Sequence, residues 1–174
     1  KLQASSLRRD EWNNIGANRS RRKRQIMDFE LKTLGSSGAA AEKCDVLVVL
    51  VAEGGKPGKD VVGKLVAAAL AGGDLEPKPG KLLQSYRSEG IVAPKVILAG
   101  AGDASGKRVQ AAVQAAIGSL KGSSAKRVVI LLPDGAGDDA VRAAVCGAAD
   151  SSYIYVATKS KPEGRELKRI VIGV

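Results

Sequence analysis

Val96-Ile97-Leu98-Ala99-Gly100-Ala101-Gly102-Asp103-Ala104-Ser105-Gly106 is a continuous apolar run that breaks into glycines, and a segment of helical period follows it directly. In that segment Val109, Ala112, Val113, Ala116, Ile117 and Leu120 recur at spacings of three, one, three, one and three, which is one face of a 3.6-residue repeat. Lys107, Arg108, Gln110, Gln114 and Lys121 fall on the other face, so the helix is expected to pack on one side and meet water on the other. Between strand and helix, Gly100-Ala101-Gly102-Asp103 is predicted to turn the chain.

The same unit stands on either side. Residues 46–51 read as a buried strand, and Val62, Leu65, Val66, Ala69 and Leu70 line one face of the helix after it. Residues 128–132 read as another strand, and Pro133-Asp134-Gly135 leads to Asp138 and Asp139, acidic residues suited to the first turn of a helix by capping and by the dipole. Val141, Ala144, Val145 and Ala148 form the apolar face of that helix. Near-continuous Val/Ile/Leu strands separated by helices imply a mainly parallel sheet covered on both sides, hence a three-layer α/β/α sandwich. Residues 29–34, 82–86 and 167–173 are further strand candidates, although 82–86 lacks clean alternation and reads equally as a loop. Together they predict about six strands. Only Arg87-Ser88-Glu89-Gly90 joins 82–86 to the next strand, with no room for a helix, so that pair is expected to be antiparallel and the sheet mixed.

At 174 residues the chain has room for one substantial core. Its hydrophobic fraction is 44% and its aromatic fraction 3%, so that core must be aliphatic. The formal charge of +10 suggests a nucleic-acid partner until it is divided along the chain. Residues 1–26 carry eight basic side chains against two acidic ones, and the other 148 residues carry 20 against 16. Most of the basicity therefore belongs to an Asn/Ser/Arg-rich leader, which also holds the only Trp and ends at the only Met, Met27. A natural start at Met27 is expected, with 1–26 an expression remnant or an over-extended gene model. Arg21-Arg22-Lys23-Arg24 has the alternative readings of a nuclear signal, a processing site or a phosphate-binding arm. No apolar signal core and no run of about 20 apolar residues is present, so neither secretion nor a membrane span is expected.

Chemistry-bearing residues are sparse. The chain has no histidine. Cys44 opens a strand and Cys146 sits beside the apolar face of a helix, and both are expected to be buried thiols in a reducing, cytoplasmic setting. Two distant cysteines without an imidazole make neither a zinc site nor an activated nucleophile, so no metal and no catalytic residue is assigned. Gly100, Gly102 and Gly106 form a weak phosphate-loop candidate, because the glycines join a strand to a helix N-terminus. Their G-x-G-x-x-x-G spacing is one residue longer than the dinucleotide fingerprint, and Gly106-Lys107 lacks the P-loop pattern, so a turn needing glycine for its conformation is the ordinary reading. Asp134, Asp138 and Asp139 cluster where α/β ligands often bind, yet each is explained as a turn or capping residue. Tyr153 and Tyr155 alternate after the last helix and suit packing or base stacking.

From Met27 to Val174 the chain resembles the N-terminal domain of the leucyl aminopeptidase (cytosol aminopeptidase) family. The resemblance is carried by Cys44-Asp45-Val46-Leu47-Val48-Val49, Lys95-Val96-Ile97-Leu98-Ala99-Gly100-Ala101-Gly102, Lys126-Arg127-Val128-Val129-Ile130, and the closing stretch from Tyr153 through Lys159-Ser160-Lys161-Pro162 to Leu167-Lys168-Arg169-Ile170-Val171-Ile172-Gly173. It implies a macro-domain-like α/β/α fold preceding a catalytic domain that uses two divalent metals, zinc or manganese, with a Lys and an Arg, to release N-terminal amino acids from peptides. The family's metal-binding Lys and Asp residues and its Asn-Thr-Asp-Ala-Glu-Gly-Arg-like stretch have no counterpart up to Val174, so no catalytic or metal residue is carried onto any position here. The expected role is packing against that catalytic domain and supporting a homo-oligomer, a hexamer in the family. Two alternatives stand beside it. Binding of DNA would weaken steeply with salt and survive removal of residues 1–26. Recognition of ADP-ribose or another phosphorylated nucleotide would centre on the Gly100 to Gly106 turn.

Overall fold

The computed structural model describes residues 27–152 and 167–174. The leader with Arg21-Arg22-Lys23-Arg24, both Tyr153 and Tyr155, and Lys159-Ser160-Lys161-Pro162 lie outside the described residues. Strands are β1 (Asp28–Lys32), β2 (Val46–Ala52), β3 (Leu82–Tyr86), β4 (Lys95–Gly102), β5 (Arg127–Leu131) and β6 (Arg169–Gly173). The helices are α1 (Ser36–Ala41), α2 (Val61–Ala71), α3 (Gly106–Gly118) and α4 (Asp138–Ser152).

The six strands form one sheet in the order β1-β6-β5-β2-β4-β3. All neighbours run parallel except β3 and β4, which pair antiparallel from Leu82 opposite Ala99 to Tyr86 opposite Lys95. The ambiguous segment 82–86 is thus an edge strand, and its half-exposed side chains explain why it carries little periodic signal.

Both faces of the sheet are covered, because alternate residues of the central strands feed two separate cores. Val46, Val48, Leu50, Ile97, Val128 and Ile130 pack under α3 and α4. Leu47, Val49, Val51, Val96, Leu98 and Val129 pack under α1 and α2. The period of α3 is realised residue for residue: Val109, Ala112, Val113, Ala116, Ile117 and Leu120 are all buried. In α4 the buried stripe is Ala140, Ala144, Gly147 and Ala148, while Val141 and Val145 are only half-buried. Small residues there let α4 close on α3, where a Cβ built on Gly147 would stand 2.9 Å from the Gln110 carbonyl oxygen.

One expected turn is displaced. Gly100, Ala101 and Gly102 belong to β4 rather than to the loop after it: Gly100 pairs with Val51, Gly102 with Ala52, and Ala101 is the extra residue of a bulge. Gly102 takes φ of 55° at that bulge, which suits glycine. The turn itself is Asp103-Ala104-Ser105, where Asp103 Oδ1 accepts from Ser105 Oγ at 2.7 Å and Ser105 N at 3.1 Å.

Glu42, just after α1, ties β1 to β5. Its Oε2 accepts from Lys32 Nζ and its Oε1 from Arg127 Nη2, both at 2.6 Å. Asp45 Oδ2 meanwhile accepts from the backbone N–H groups of Lys126 at 2.7 Å and Arg127 at 2.9 Å, fixing where β5 starts beside β2. The Lys32 hydrogen bond, aided by the charges of Lys32 and Arg127 and opposed by partial burial, holds the Glu42 carboxyl below its ordinary 4.5. A carboxylate with a depressed folded-state pKa stabilises fully above about pH 4.5 and loses that contribution as pH falls through the depressed value. Glu42→Gln is therefore expected to cost about 1–2 kcal/mol at neutral pH, for two charge-assisted bonds at a partly solvated site. In urea titrations across pH the gap between the two proteins should close below about pH 4.5. A gap that stays constant down to pH 3 would show that the carboxylate is not its source.

Candidate functional site

The chain leaves β2 toward β4, through α2 on one face of the sheet, and leaves β5 toward β6, through α4 on the other. The carboxyl ends of the adjacent strands β2 and β5 are thus a topological switch point, where connections diverge and a crevice opens between them. A cavity of about 180 Å³ lies there. Its floor is Val49, Val51 and Leu131, and Val62 and Val66 of α2 form an aliphatic wall. The rest comes from two loops: Gly55-Lys56-Pro57-Gly58 after β2, and Pro133-Asp134 after β5, with Ser36 of α1 alongside.

This geometry follows from the local sequence. Asp60 is the N-cap of α2 and its Oδ1 accepts from Gly63 N at 3.1 Å, which starts the helix. Asp60 Oδ2 is buried and has no hydrogen-bond partner among the described residues. Gly63 packs against the backbone of Gly58, so the loop lies directly on the first turn of the helix. That close approach, with glycine on both sides, draws the loop over the floor. Lys56 and Asp134 are exposed and stand at the rim with charges of opposite sign.

Of the acidic cluster read from the sequence, Asp134 reaches this cavity, while Asp138 and Asp139 occupy the first turn of α4 and are exposed. Gly100, Gly102 and Gly106 line none of it. Gly100 lies against the backbone of Lys78, and Gly106 faces the Asp139 carboxylate. Each glycine therefore has a packing reason.

The two cysteines depart from expectation. Cys44 is only half-buried and Cys146 is exposed. Cys146 falls between Ala144 and Ala148 in sequence but about 200° round the helix from Ala144, so a residue beside the apolar stripe in a list faces outward in space. Burial pushes the Cys44 thiol up to about 11, so it is a poor nucleophile. Among the described residues no group of three or more His, Cys, Asp or Glu side chains is placed to hold a metal ion. No helix among the described residues is long and apolar enough to cross a membrane.

Comparison with known proteins settles the family. Residues 48–162 match the N-terminal domain of the cytosol aminopeptidase family. The chain belongs to that family. A probable cytosol aminopeptidase of Acidovorax sp. (strain JS42) is 51% identical over 148 residues, covering 85% of this chain and 30% of the relative. One from Albidiferax ferrireducens is 47% identical with 85% and 31% coverage. The chain thus spans about 30% of the length of the curated relatives it matches. Among solved structures, a variant of tomato leucine aminopeptidase superposes with a TM-score of 0.67 at 17% identity, covering 86% of this chain and 32% of that one. The bottromycin maturation enzyme BotP superposes with a TM-score of 0.56 at 21% identity, covering 76% and 28%. At those identities the superpositions speak to the fold, which is the mixed α/β/α sandwich expected of a cytosol aminopeptidase N-terminal domain. None of these relatives is named for binding DNA or ADP-ribose.

Proposed function

We propose that this chain is the non-catalytic, regulatory and assembly part of a cytoplasmic, metal-dependent leucyl aminopeptidase, packing on a catalytic domain and serving a homo-oligomer, with a hexamer as the expected state. Residues 27–174 are the working unit on this reading and residues 1–26 a dispensable leader. The observation that carries it is the match to an aminopeptidase N-terminal domain at 51% identity over 30% of the relative's length. Apolar side chains on edge strand β1 add support, since Phe29 is 39% and Leu31 61% exposed and offer a surface to a partner. A manganese complex of BotP, at 21% identity, accords with metal chemistry in the remainder of such enzymes.

The test compares this chain with a full-length protein that carries it, each assayed on a leucyl anilide with millimolar manganese or zinc. Hydrolysis by the full-length protein alone is the expected result, with light scattering giving a hexamer for it. Metal-dependent turnover by the present chain would overturn the non-catalytic assignment.

A further inference from the structure

We propose that the cavity between β2, β5 and α2 binds a free α-amino acid with a branched aliphatic side chain. Three features of the site select that ligand class together. Its floor and wall, Val49, Val51, Val62, Val66 and Leu131, offer only aliphatic surface, and the low aromatic content of the chain supplies no ring for stacking. Its volume of about 180 Å³ is close to the roughly 150 Å³ at which an apolar cavity accepts benzene, so an isobutyl or isopropyl group with its Cα fits. The volume lies below the roughly 300–1,000 Å³ of sites that enclose drug-sized ligands, so it suits a small molecule better than a whole nucleotide.

Charge at the rim decides the polar end. Lys56 and Asp134 give the mouth one cation and one anion, a formal sum of zero. The carboxylate of Asp60 stands just behind the Gly58 loop, already bound to the first turn of α2. A phosphate dianion would meet a mouth of zero net charge with the Asp60 carboxylate behind the loop, which like-charge repulsion disfavours. A zwitterion matches both signs: its carboxylate meets Lys56, its ammonium meets Asp134, and its side chain leaves water for the floor. The switch-point position is where α/β sheets bind ligands irrespective of the chemistry they carry out. That an aminopeptidase would also release such an amino acid rests on the proposed function, whereas the binding argued from this cavity does not. Binding is measured without hydrolysis, so failure here and failure of that reading are separate results.

The experiment is a titration of the ¹⁵N-labelled chain with L-leucine, N-acetyl-L-leucine and L-leucinamide, followed by amide shifts. L-leucine is expected to give saturable shifts within 51–63 and 131–135, with a dissociation constant of about millimolar or tighter for so small a ligand. Removing either charge from the ligand should weaken binding about tenfold. Asp134→Asn should weaken L-leucine while leaving N-acetyl-L-leucine unchanged, and Lys56→Ala should weaken L-leucine while leaving L-leucinamide unchanged. Both side chains are exposed, so both variants should keep the parent spectrum elsewhere. No saturable shift at tens of millimolar L-leucine, or equal binding of the three compounds, overturns the assignment. Saturable shifts from inorganic phosphate at the same amides, with none from L-leucine, would overturn it in favour of an anion site.

Discussion

Ile97→Ala and Leu98→Ala are expected to destabilise the chain by comparable amounts, about 2–5 kcal/mol each, although the two residues are adjacent on one strand and point in opposite directions. Both side chains are fully buried. Ile97 belongs to the core under α3 and α4, and Leu98 to the core under α1 and α2. In a sheet with one wet face only one of such a pair would matter, because consecutive strand residues alternate between faces. Equal and large losses are thus the energetic signature of three layers. Against a total stability of about 5–15 kcal/mol, either loss is easily resolved by urea or guanidinium midpoints. Leu31→Ala on β1 is the control, at most about 0.5 kcal/mol for a side chain that is 61% exposed in this chain. A value under about 1 kcal/mol for either Ile97→Ala or Leu98→Ala would contradict the two-core arrangement.

What the sequence discloses about this fold follows from where its signal is local. The face of α3 is legible because six aliphatic residues repeat at 3.6, and all six are buried. The four central and inner strands are legible because burial on both faces removes polar residues from them. By contrast α1 escapes detection: Ser36-Ser37-Gly38-Ala39-Ala40-Ala41 has six small residues and no amphipathic contrast, and it forms by burying Ala39 and Ala40 against the sheet. The glycines at 100 and 102 mislead in the other direction. They look like a turn, but one meets the Lys78 backbone and the other sits at a bulge, and both contacts are made by residues distant in sequence or on another strand.

The site is harder to read for the same reason. Gly54-Gly55-Lys56-Pro57-Gly58 ahead of Asp60 is a glycine-rich strand-to-helix connection with a capping residue, of the same kind as Gly100 to Gly106. Only the strand order distinguishes them, since the first connection opens at the switch point and the second does not. Asp134 was visible as a carboxylate after a strand, but its opposite number at the rim, Lys56, comes from a loop 78 positions earlier and has no local mark. Cys146 shows the limit of helical periodicity near a stripe's edge, where a one-residue shift moves a side chain by about 100°.

Gly63→Ala and Gly118→Ala should move stability in opposite directions, although both replace a helical glycine by the strongest helix former. On intrinsic propensity alone each should gain up to about 1 kcal/mol. Gly118, the last residue of α3, has nothing within 4 Å of an added Cβ, so it is expected to be neutral or to keep that gain. At Gly63 the Cβ would run into the backbone oxygen, carbon and nitrogen of Gly58. Backbone atoms cannot rotate aside as a side chain can, so the loop over the cavity must lift off α2. Overpacking of that kind costs about 1–3 kcal/mol, and loosening the Asp60 cap, which accepts from Gly63 N itself, adds about 1 kcal/mol. Set against the propensity gain, Gly63→Ala should lose about 1–3 kcal/mol net in denaturant unfolding. Because Gly55, Lys56, Pro57 and Gly58 also line the cavity, the variant should perturb the amides of that loop while leaving those of β6 unchanged. Stabilisation by Gly63→Ala would mean that the loop does not rest on the helix, and the cavity would then lose the wall that gives it its shape.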